Sequence, residues 1–207
     1  MSGLVRGDDG LRRCAWGVSS PDYVAYHDEE WGRPVTDDRG IYERLTLEAF
    51  QSGLSWLTIL RKRQNFRQAF DGFEFERVAD YGQPEVERLL ADAGIVRNRA
   101  KVEAAIANAR AARELAAGGE SLAALAWSFL PERERAPRSG GDVAATTPES
   151  KALAKELKGR GFRFVGPTTA YALMQAVGIV NDHLAGCFAR DAVEAERVAA
   201  VARANAE

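Results

Sequence analysis

Cysteine and histidine occur at only two places in this 207-residue chain, near its opposite ends. Cys14 and His27 lie near the N-terminus, whereas His183 and Cys187 lie near the C-terminus. Two thiolates and two imidazoles form a complete tetrahedral ligand set for zinc, and a site with four protein ligands is structural. The spacing alone fits two buried thiols and two ordinary polar histidines equally well. A metal would join the two ends of the chain and close a long loop.

Composition excludes several classes of protein. With 46% hydrophobic and 28% charged residues, the chain is typical of a globular protein. No apolar run approaches the roughly 18 residues that span a bilayer, and the N-terminal stretch MSGLVRGDDGLRRC lacks the apolar segment of a secretory signal. We therefore expect a cytoplasmic protein without a membrane anchor. A net charge of −2 argues against a general nucleic-acid-coating protein, so DNA contacts would need local basic clusters such as residues 61–67, 97–101 and 155–163, each of which also fits a solvated helix face.

Helix signals recur along the chain, and no alternating strand pattern stands out. Ser20, Ser55 and Thr147 each precede an apolar-periodic segment and predict helix N-caps. The sequence therefore predicts an all-α protein with a loose first dozen residues and a long Pro- and Gly-rich surface loop at 131–146. Helices are expected near residues 22–30, 39–52, 55–70, 84–94, 98–119, 121–130, 149–161 and 168–178, followed by a charged helical tail.

Six stretches taken together resemble a known family. They are RCAWG (13–17), YVAYHDEEWG (23–32), LEAFQSGLSWLTILRKRQNFRQAF (47–70), DAGIVRNRAKVEAAIANARA (92–111), WSF (127–129) and the segment 150–187. Their order and spacing are similar to those of the DNA-3-methyladenine glycosylase I family of bacterial alkylation-repair enzymes, which have a helix-hairpin-helix fold. The resemblance implies one helical unit over residues 12–190 with two lobes, a hairpin near 159–175, and flexible or helical tails at 1–11 and 191–207. It also implies that one structural zinc ion, bound by Cys14, His27, His183 and Cys187, tethers the N- and C-terminal regions.

The resemblance further implies a pocket for a damaged base. Tyr26 and Trp56 would stack on the flipped base, Trp16 and Tyr23 would line the pocket, and Glu48 would bind the base and serve the reaction. A purine methylated at N3 is cationic, and each aromatic face attracts a desolvated cation by about 0.5 to 2 kcal/mol. An ionised Glu48 would add hydrogen bonds and an opposite charge. Core packing for the aromatic residues, and a surface position or salt bridge for Glu48, are the alternatives.

Two segments are expected to contact DNA. Gly53 and Leu54 form an apolar bend between two predicted helices, where the family places the residue that fills the gap left by the flipped base. Gly166 is the expected turn glycine of the hairpin, and Thr168 or Thr169 is expected to cap the next helix and donate a hydroxyl to a phosphate. The implied partner is alkylated double-stranded DNA, bound by a monomer that needs no organic cofactor.

Two questions stay open at the level of sequence. Asp182 is placed either to steady the sugar cation or to orient the neighbouring His183. The segment 164–187 contains no lysine, which favours a monofunctional hydrolase because the lyase members of the superfamily use a lysine nucleophile near the hairpin. The alternatives are a non-catalytic protein that binds alkylated or distorted DNA, and a zinc hydrolase, which would need an open coordination position.

Overall fold

The computed structural model describes residues 3–132 and 135–204, most of which are helical. The remaining parts of the predicted tails and loop, at 1–2, 133–134 and 205–207, lie outside the described residues. Within the described ranges, no helix has the length and apolar character needed to cross a membrane. The strands are β1 (Leu4–Arg6) and β2 (Arg12–Cys14), and the helices are α1 (Pro21–Glu29), α2 (Asp38–Gln51), α3 (Trp56–Ala69), α4 (Phe75–Val78), α5 (Gln83–Ala91), α6 (Arg99–Ala117), α7 (Leu122–Trp127), α8 (Pro148–Gly159), α9 (Pro167–Ala176) and α10 (Arg190–Ala204).

The helical prediction is confirmed where capping chemistry is local. The Ser20 hydroxyl accepts a hydrogen bond from the Tyr23 backbone N–H at 3.3 Å, at the start of α1. Ser55 and Thr147 accept equivalent bonds at the starts of α3 and α8, each at 3.2 Å. Each cap satisfies an N–H that the first helical turn leaves without a partner, and therefore fixes where the helix begins.

Residues 4–12, in the segment that was expected to be loose, belong to a two-stranded hairpin, contrary to expectation. β1 and β2 pair antiparallel, with Leu4 opposite Cys14 and Arg6 opposite Arg12. Two strands of three residues are too short to show an alternating pattern in the sequence, which is why the prediction missed them. The Phe188 N–H donates to the Arg12 carbonyl, so this hairpin also pairs with the C-terminal part of the chain.

Helix α2 lies at the centre of the core and is buried along most of its length. Ile41, Leu45 and Phe50 are completely buried, and α2 packs against α3, α6, α7 and α9. A helix that is covered on all sides cannot turn its polar residues to solvent. The two buried carboxyl groups of α2, Glu43 and Glu48, therefore cost free energy unless a protein group or a bound ligand interacts with them.

The turn between α8 and α9 differs from the predicted hairpin turn. Gly161 (φ +91°) and Phe164 (φ +55°) adopt left-handed conformations, whereas Gly166 is extended (φ −88°, ψ 169°). Gly166 is extended because the residue before a proline is pushed out of the helical region, and Pro167 follows it. Gly166 itself is the N-cap of α9, so the prediction that Thr168 or Thr169 caps this helix is wrong; both lie inside its first turn.

Gly178 lies where the segment after α1 contacts the segment after α9. It follows α9 with φ +78°, and a Cβ built there would lie 2.5 Å from the Gly32 carbonyl oxygen and 2.9 Å from the Arg33 carbonyl carbon. The neighbouring Val177 carbonyl accepts from the Val35 N–H. The absence of a side chain at Gly178 lets the chain after α1 contact the chain after α9 directly.

Replacement of Gly178 by alanine is expected to lower the free energy of unfolding by about 3 kcal/mol, because backbone strain and steric overlap add. Gly161→Ala is the matched control: its φ is also left-handed, but a Cβ there meets nothing within 4 Å. The control should lose only about 1 kcal/mol. Urea unfolding of both variants measures the difference, and equal losses would contradict the account.

Candidate functional site

The two ends of the chain meet at a buried cluster of cysteine and histidine. Cys14 ends β2, His27 lies in α1, and His183 and Cys187 lie in the turn after α9. The four potential ligand atoms all lie within 4.8 Å of one another. The Cys187 Sγ is 3.5 Å from His27 Nε2 and 3.6 Å from His183 Nδ1. The predicted quartet is brought together and forms a group that can hold a metal ion.

Groups around the cluster orient both imidazoles. His27 Nδ1 lies 2.8 Å from a carboxylate oxygen of Asp28, and His183 Nε2 lies 3.0 Å from the carbonyl oxygen of Trp31. Each acceptor takes an N–H from its histidine and leaves the other ring nitrogen's lone pair directed at the cluster centre. The sequence analysis missed Asp28, although its position directly after His27 is a usable signal. Among the described residues, the contacts to the two imidazole N–H groups come from Asp28 and Trp31, which therefore take the orienting role that was considered for Asp182.

A cavity of about 350 Å³ lies beside this cluster. Its volume is at the lower end of the range of small-molecule binding pockets. All five residues predicted to bind the base line it, as do Gln51, Asp182 and, from α9, Ala172 and Gln175. The predicted lining residues are Trp16, Tyr23, Tyr26, Glu48 and Trp56.

The aromatic rings contact one another around the cavity. Tyr26 and Trp56 have ring centroids 5.4 Å apart and an interplanar angle of 47°. A base sandwiched between two rings needs them parallel and about 7 Å apart, which is twice a carbon–carbon contact distance. A base therefore fits against these rings from the cavity side, and it does not fit between them in this arrangement. Tyr23 is fixed because its hydroxyl oxygen accepts the Leu57 N–H at 3.0 Å, at the start of α3.

Glu48 is the buried carboxylate of α2 without a partner. Glu43, five residues earlier, accepts hydrogen bonds from Arg44 and Arg67. Among residues 3–132 and 135–204, no hydrogen bond or ion pair to the Glu48 side chain is found. Burial raises the pKa of Glu48 to about 8, and the charge of nearby Arg44 opposes this shift. Glu48 is therefore mostly protonated at neutral pH in the free protein, and a cation in the cavity would favour its ionised form.

Asp182 supplies a second carboxylate to the cavity wall. One of its oxygens accepts hydrogen bonds from the Tyr171 hydroxyl and the Gln175 amide, both at 2.7 Å. Both donors lie on α9, so this helix fixes the direction of the carboxylate. The pairing leaves the second oxygen of Asp182 with lone-pair capacity for another group.

The two segments predicted to contact DNA lie at turns. Gly53 is left-handed (φ +81°) and the neighbouring Leu54 is an exposed apolar side chain, which agrees with an apolar tip between α2 and α3. Thr168 is exposed and lies one helical turn before Ala172, so it shares the face of α9 that reaches the cavity. None of Gly53, Leu54, Gly166, Thr168 or Thr169 lines the cavity itself.

Basic residues in the cluster at 61–67 are engaged within the protein. Arg61 pairs with Asp22, Arg63 with Glu30 and Arg67 with Glu43, while Lys62 donates to the carbonyls of Ala93 and Gly94. Lys101, in the predicted cluster at 97–101, is also buried. These clusters therefore carry less free positive charge than the sequence indicates.

The chain is similar to known proteins over most of its length. Residues 16–190 match the family model described as methyladenine glycosylase. The chain is 45% identical to DNA-3-methyladenine glycosylase 1 of Escherichia coli strain K12 over 179 residues, which cover 86% of this chain and 96% of that protein.

Solved structures show the same similarity in three dimensions. A crystal structure of 3-methyladenine DNA glycosylase I aligns with a TM-score of 0.82 at 48% identity, covering 85% of this chain and 98% of the other. A Tyr-to-Phe variant of 3-methyladenine DNA glycosylase I in complex with 3-methyladenine aligns with a TM-score of 0.81 at 32% identity, covering 86% and 97%. The chain therefore belongs to the methyladenine glycosylase family.

Proposed function

We propose that this protein excises 3-methyladenine from alkylated double-stranded DNA in base excision repair. The observation that carries the proposal is the buried carboxyl group of Glu48, which lines an aromatic cavity and has no hydrogen-bond partner in the part of the chain that the structure describes. The similar proteins named as 3-methyladenine glycosylases, one of them in complex with 3-methyladenine, support the same substrate. We further propose that it acts as a monomer in the bacterial cytoplasm.

Charge distinguishes the damaged base from adenine. The methylated base is cationic in DNA, so its binding is stabilised by attraction to the ring faces of Trp16, Tyr26 and Trp56 and to ionised Glu48. Adenine brings no charge to offset the cost of ionising a buried carboxyl group, and this cost excludes it. Ionised Glu48 then accepts a hydrogen bond from the exocyclic amine of the base.

The reaction needs little chemical help because the leaving group is good. The bond between C1′ and N9 breaks, its electron pair neutralises the cationic base, and 3-methyladenine departs without being protonated. The sugar becomes oxocarbenium-like, and a water molecule adds to C1′ and loses a proton, which leaves an abasic site. Asp182, which lines the cavity, steadies the sugar cation in this proposal, and the cavity holds the nucleotide outside the base stack.

The turns around the cavity hold the DNA. Leu54, presented by the left-handed Gly53, fills the gap left by the flipped nucleotide. The start of α9, with Gly166, Thr168 and Thr169, has no side-chain cap among the described residues and offers first-turn backbone N–H groups and hydroxyls to a phosphate, as in a helix-hairpin-helix motif.

We also propose that Cys14, His27, His183 and Cys187 bind one structural zinc ion. Tetrahedral zinc with sulfur at 2.3 Å and nitrogen at about 2.05 Å requires neighbouring sulfur and nitrogen ligands to lie about 3.5 Å apart. The two separations of 3.5 and 3.6 Å at Cys187 fit this value. Four protein ligands leave no position for a substrate, so the ion would stabilise the joined ends of the chain and take no part in base removal.

Methylated duplex DNA incubated with the protein should release free 3-methyladenine, measured by chromatography, whereas a non-catalytic DNA-binding protein would release none. Glu48→Gln should lower kcat/KM for release by at least about tenfold, because a neutral amide cannot provide the opposite charge. Glu43→Gln is the matched control: it alters a buried glutamate of the same helix that is outside the cavity. It should reduce stability and retain base release. Unchanged release by folded Glu48→Gln would overturn the role of Glu48.

Glu48 should also make stability depend on pH. Its folded pKa of about 8 exceeds the ordinary value of 4.5, so the folded state binds more protons between these pH values. The free energy of unfolding should therefore fall as pH rises through this window, by on the order of 3 kcal/mol relative to Glu48→Gln between pH 5 and pH 8. Urea unfolding at a series of pH values checks this difference, and parallel curves for the two proteins would contradict it.

Cys187→Ser should remove the zinc ion and chiefly lower stability. Elemental analysis is expected to find one zinc per wild-type chain and none in the variant, and the free energy of unfolding should drop by about 3 kcal/mol or more. At a temperature where the variant is folded, base release per folded molecule should persist. Abolished release by a fully folded variant with an unchanged melting temperature would show that the site is catalytic.

A further inference from the structure

Helix α6 carries two polar side chains that are buried in the protein interior. Lys101 is 8% exposed and Asn108 is 0% exposed, whereas the other buried residues of α6 are Val, Ile, Leu and Ala. Burying an ammonium or amide group costs free energy unless it finds hydrogen-bond partners. The hydrogen-bond partners of these two residues therefore show which part of the fold each one stabilises.

Lys101 holds the C-terminal end of α2. Its Nζ donates to the Phe50 carbonyl at 2.8 Å and to the Ser52 carbonyl at 2.6 Å. The last carbonyls of a helix lack partners within the helix and carry partial negative charge, so an ammonium group stabilises them. The next residues along the chain are Gly53 and the exposed Leu54. Lys101 thus fixes the base of the turn that presents Leu54.

Asn108 holds the turn between α8 and α9. Its side-chain oxygen accepts the Arg163 N–H at 2.6 Å, and its amide donates to the Arg163 carbonyl at 3.1 Å. The next residue, Phe164, is an exposed non-glycine residue in the left-handed region. Such a conformation persists only where its surroundings enforce it. The paired bonds to Arg163 supply that enforcement from the core.

The two contacts are seven residues apart on one helix. Seven residues are two helical turns, so Lys101 and Asn108 lie on the same face of α6, about 10.5 Å apart along its axis. One rigid element therefore holds both the turn at 53–54 and the turn at 162–166. Neither turn can shift relative to the other without breaking bonds to buried polar groups.

We propose that α6 sets the spacing between the Leu54 turn and the α8–α9 turn, with Lys101 and Asn108 as positioning residues for extrusion of the damaged nucleotide. This inference rests on the proposed glycosylase function. Extrusion requires a fixed distance between Leu54, which fills the gap, and the α8–α9 turn, which binds a phosphate of the DNA. A displacement of 1 Å in such an arrangement costs as much as 100-fold in rate.

Lys101→Met tests the proposal because it keeps an unbranched side chain that is only one atom shorter and removes both bonds. The matched control is Lys62→Met, since Lys62 also donates to two backbone carbonyls, those of Ala93 and Gly94, but at a different turn. Base release is measured on methylated duplex and on methylated single strands, where little extrusion is needed. Binding of free 3-methyladenine, followed by tryptophan fluorescence, reports whether the cavity is intact.

Lys101→Met should lose about tenfold in kcat/KM on duplex while single-strand release and free-base binding stay within twofold of wild type. Lys101→Arg, which retains the charge and the donors, should recover most of the duplex activity, and Lys62→Met should match wild type on both substrates. If Lys101→Met does not fold, Lys101→Gln is compared in the same way. Equal losses on duplex and single strands, or no loss on duplex, would overturn the proposal.

Asn108→Ser provides an independent arm of the test. It leaves one hydroxyl in place of the paired amide bonds and should raise KM for duplex several-fold with little change in free-base binding. An unchanged KM would contradict the role of Asn108. A failure of the glycosylase function itself looks different, because wild-type protein would then release no base from either substrate.

Discussion

Burial of α2 on nearly every side is the constraint on which the cavity depends. A helix at the centre of the core must satisfy its polar side chains internally, and Glu43 does so through Arg44 and Arg67. Glu48 has no such hydrogen bond among the described residues, and burial raises its pKa because the charge of nearby Arg44 offsets only part of the loss of water. The fold thus holds a carboxyl group whose ionised form is stabilised when a cation enters the cavity. The raised pKa of Glu48 lowers the free energy of unfolding at neutral and alkaline pH, and the same buried group selects a cationic base over a neutral one. Such a loss of stability is common at functional sites.

The elements that carry the cysteine–histidine cluster also carry the aromatic residues of the cavity. α1 carries His27 of the cysteine–histidine cluster together with the cavity residues Tyr23 and Tyr26. Cys14 contributes both to the cluster and to the cavity lining. Because these residues share short elements, whatever fixes the cluster also fixes the aromatic wall against α2. A structural site can therefore support recognition without touching the base.

The features predictable from sequence were those set by neighbouring residues. The caps at Ser20, Ser55 and Thr147 depend on contacts three residues away, and their helices begin where predicted. The cavity residues came from a family resemblance, whereas the cysteine–histidine quartet was already indicated by the residue types and was supported by that resemblance. The structure brings both sets together. Lys101 and Asn108 were not predicted as positioning residues, because their partners are 49 to 55 residues distant in the chain. The extended Gly166 was also missed, although Pro167 beside it carried the signal.

Charge selection by an initially neutral carboxyl group predicts coupled proton release. The direct measurement is isothermal titration calorimetry at pH 7, in two buffers of different ionisation enthalpy. The ligands are 3,9-dimethyladeninium, a fixed cation in which a methyl group replaces the sugar, and neutral 9-methyladenine. The account predicts that the cation binds at least about tenfold more tightly and releases close to one proton per complex. Equal affinity for the two ligands, or binding of the cation without proton release, would contradict it.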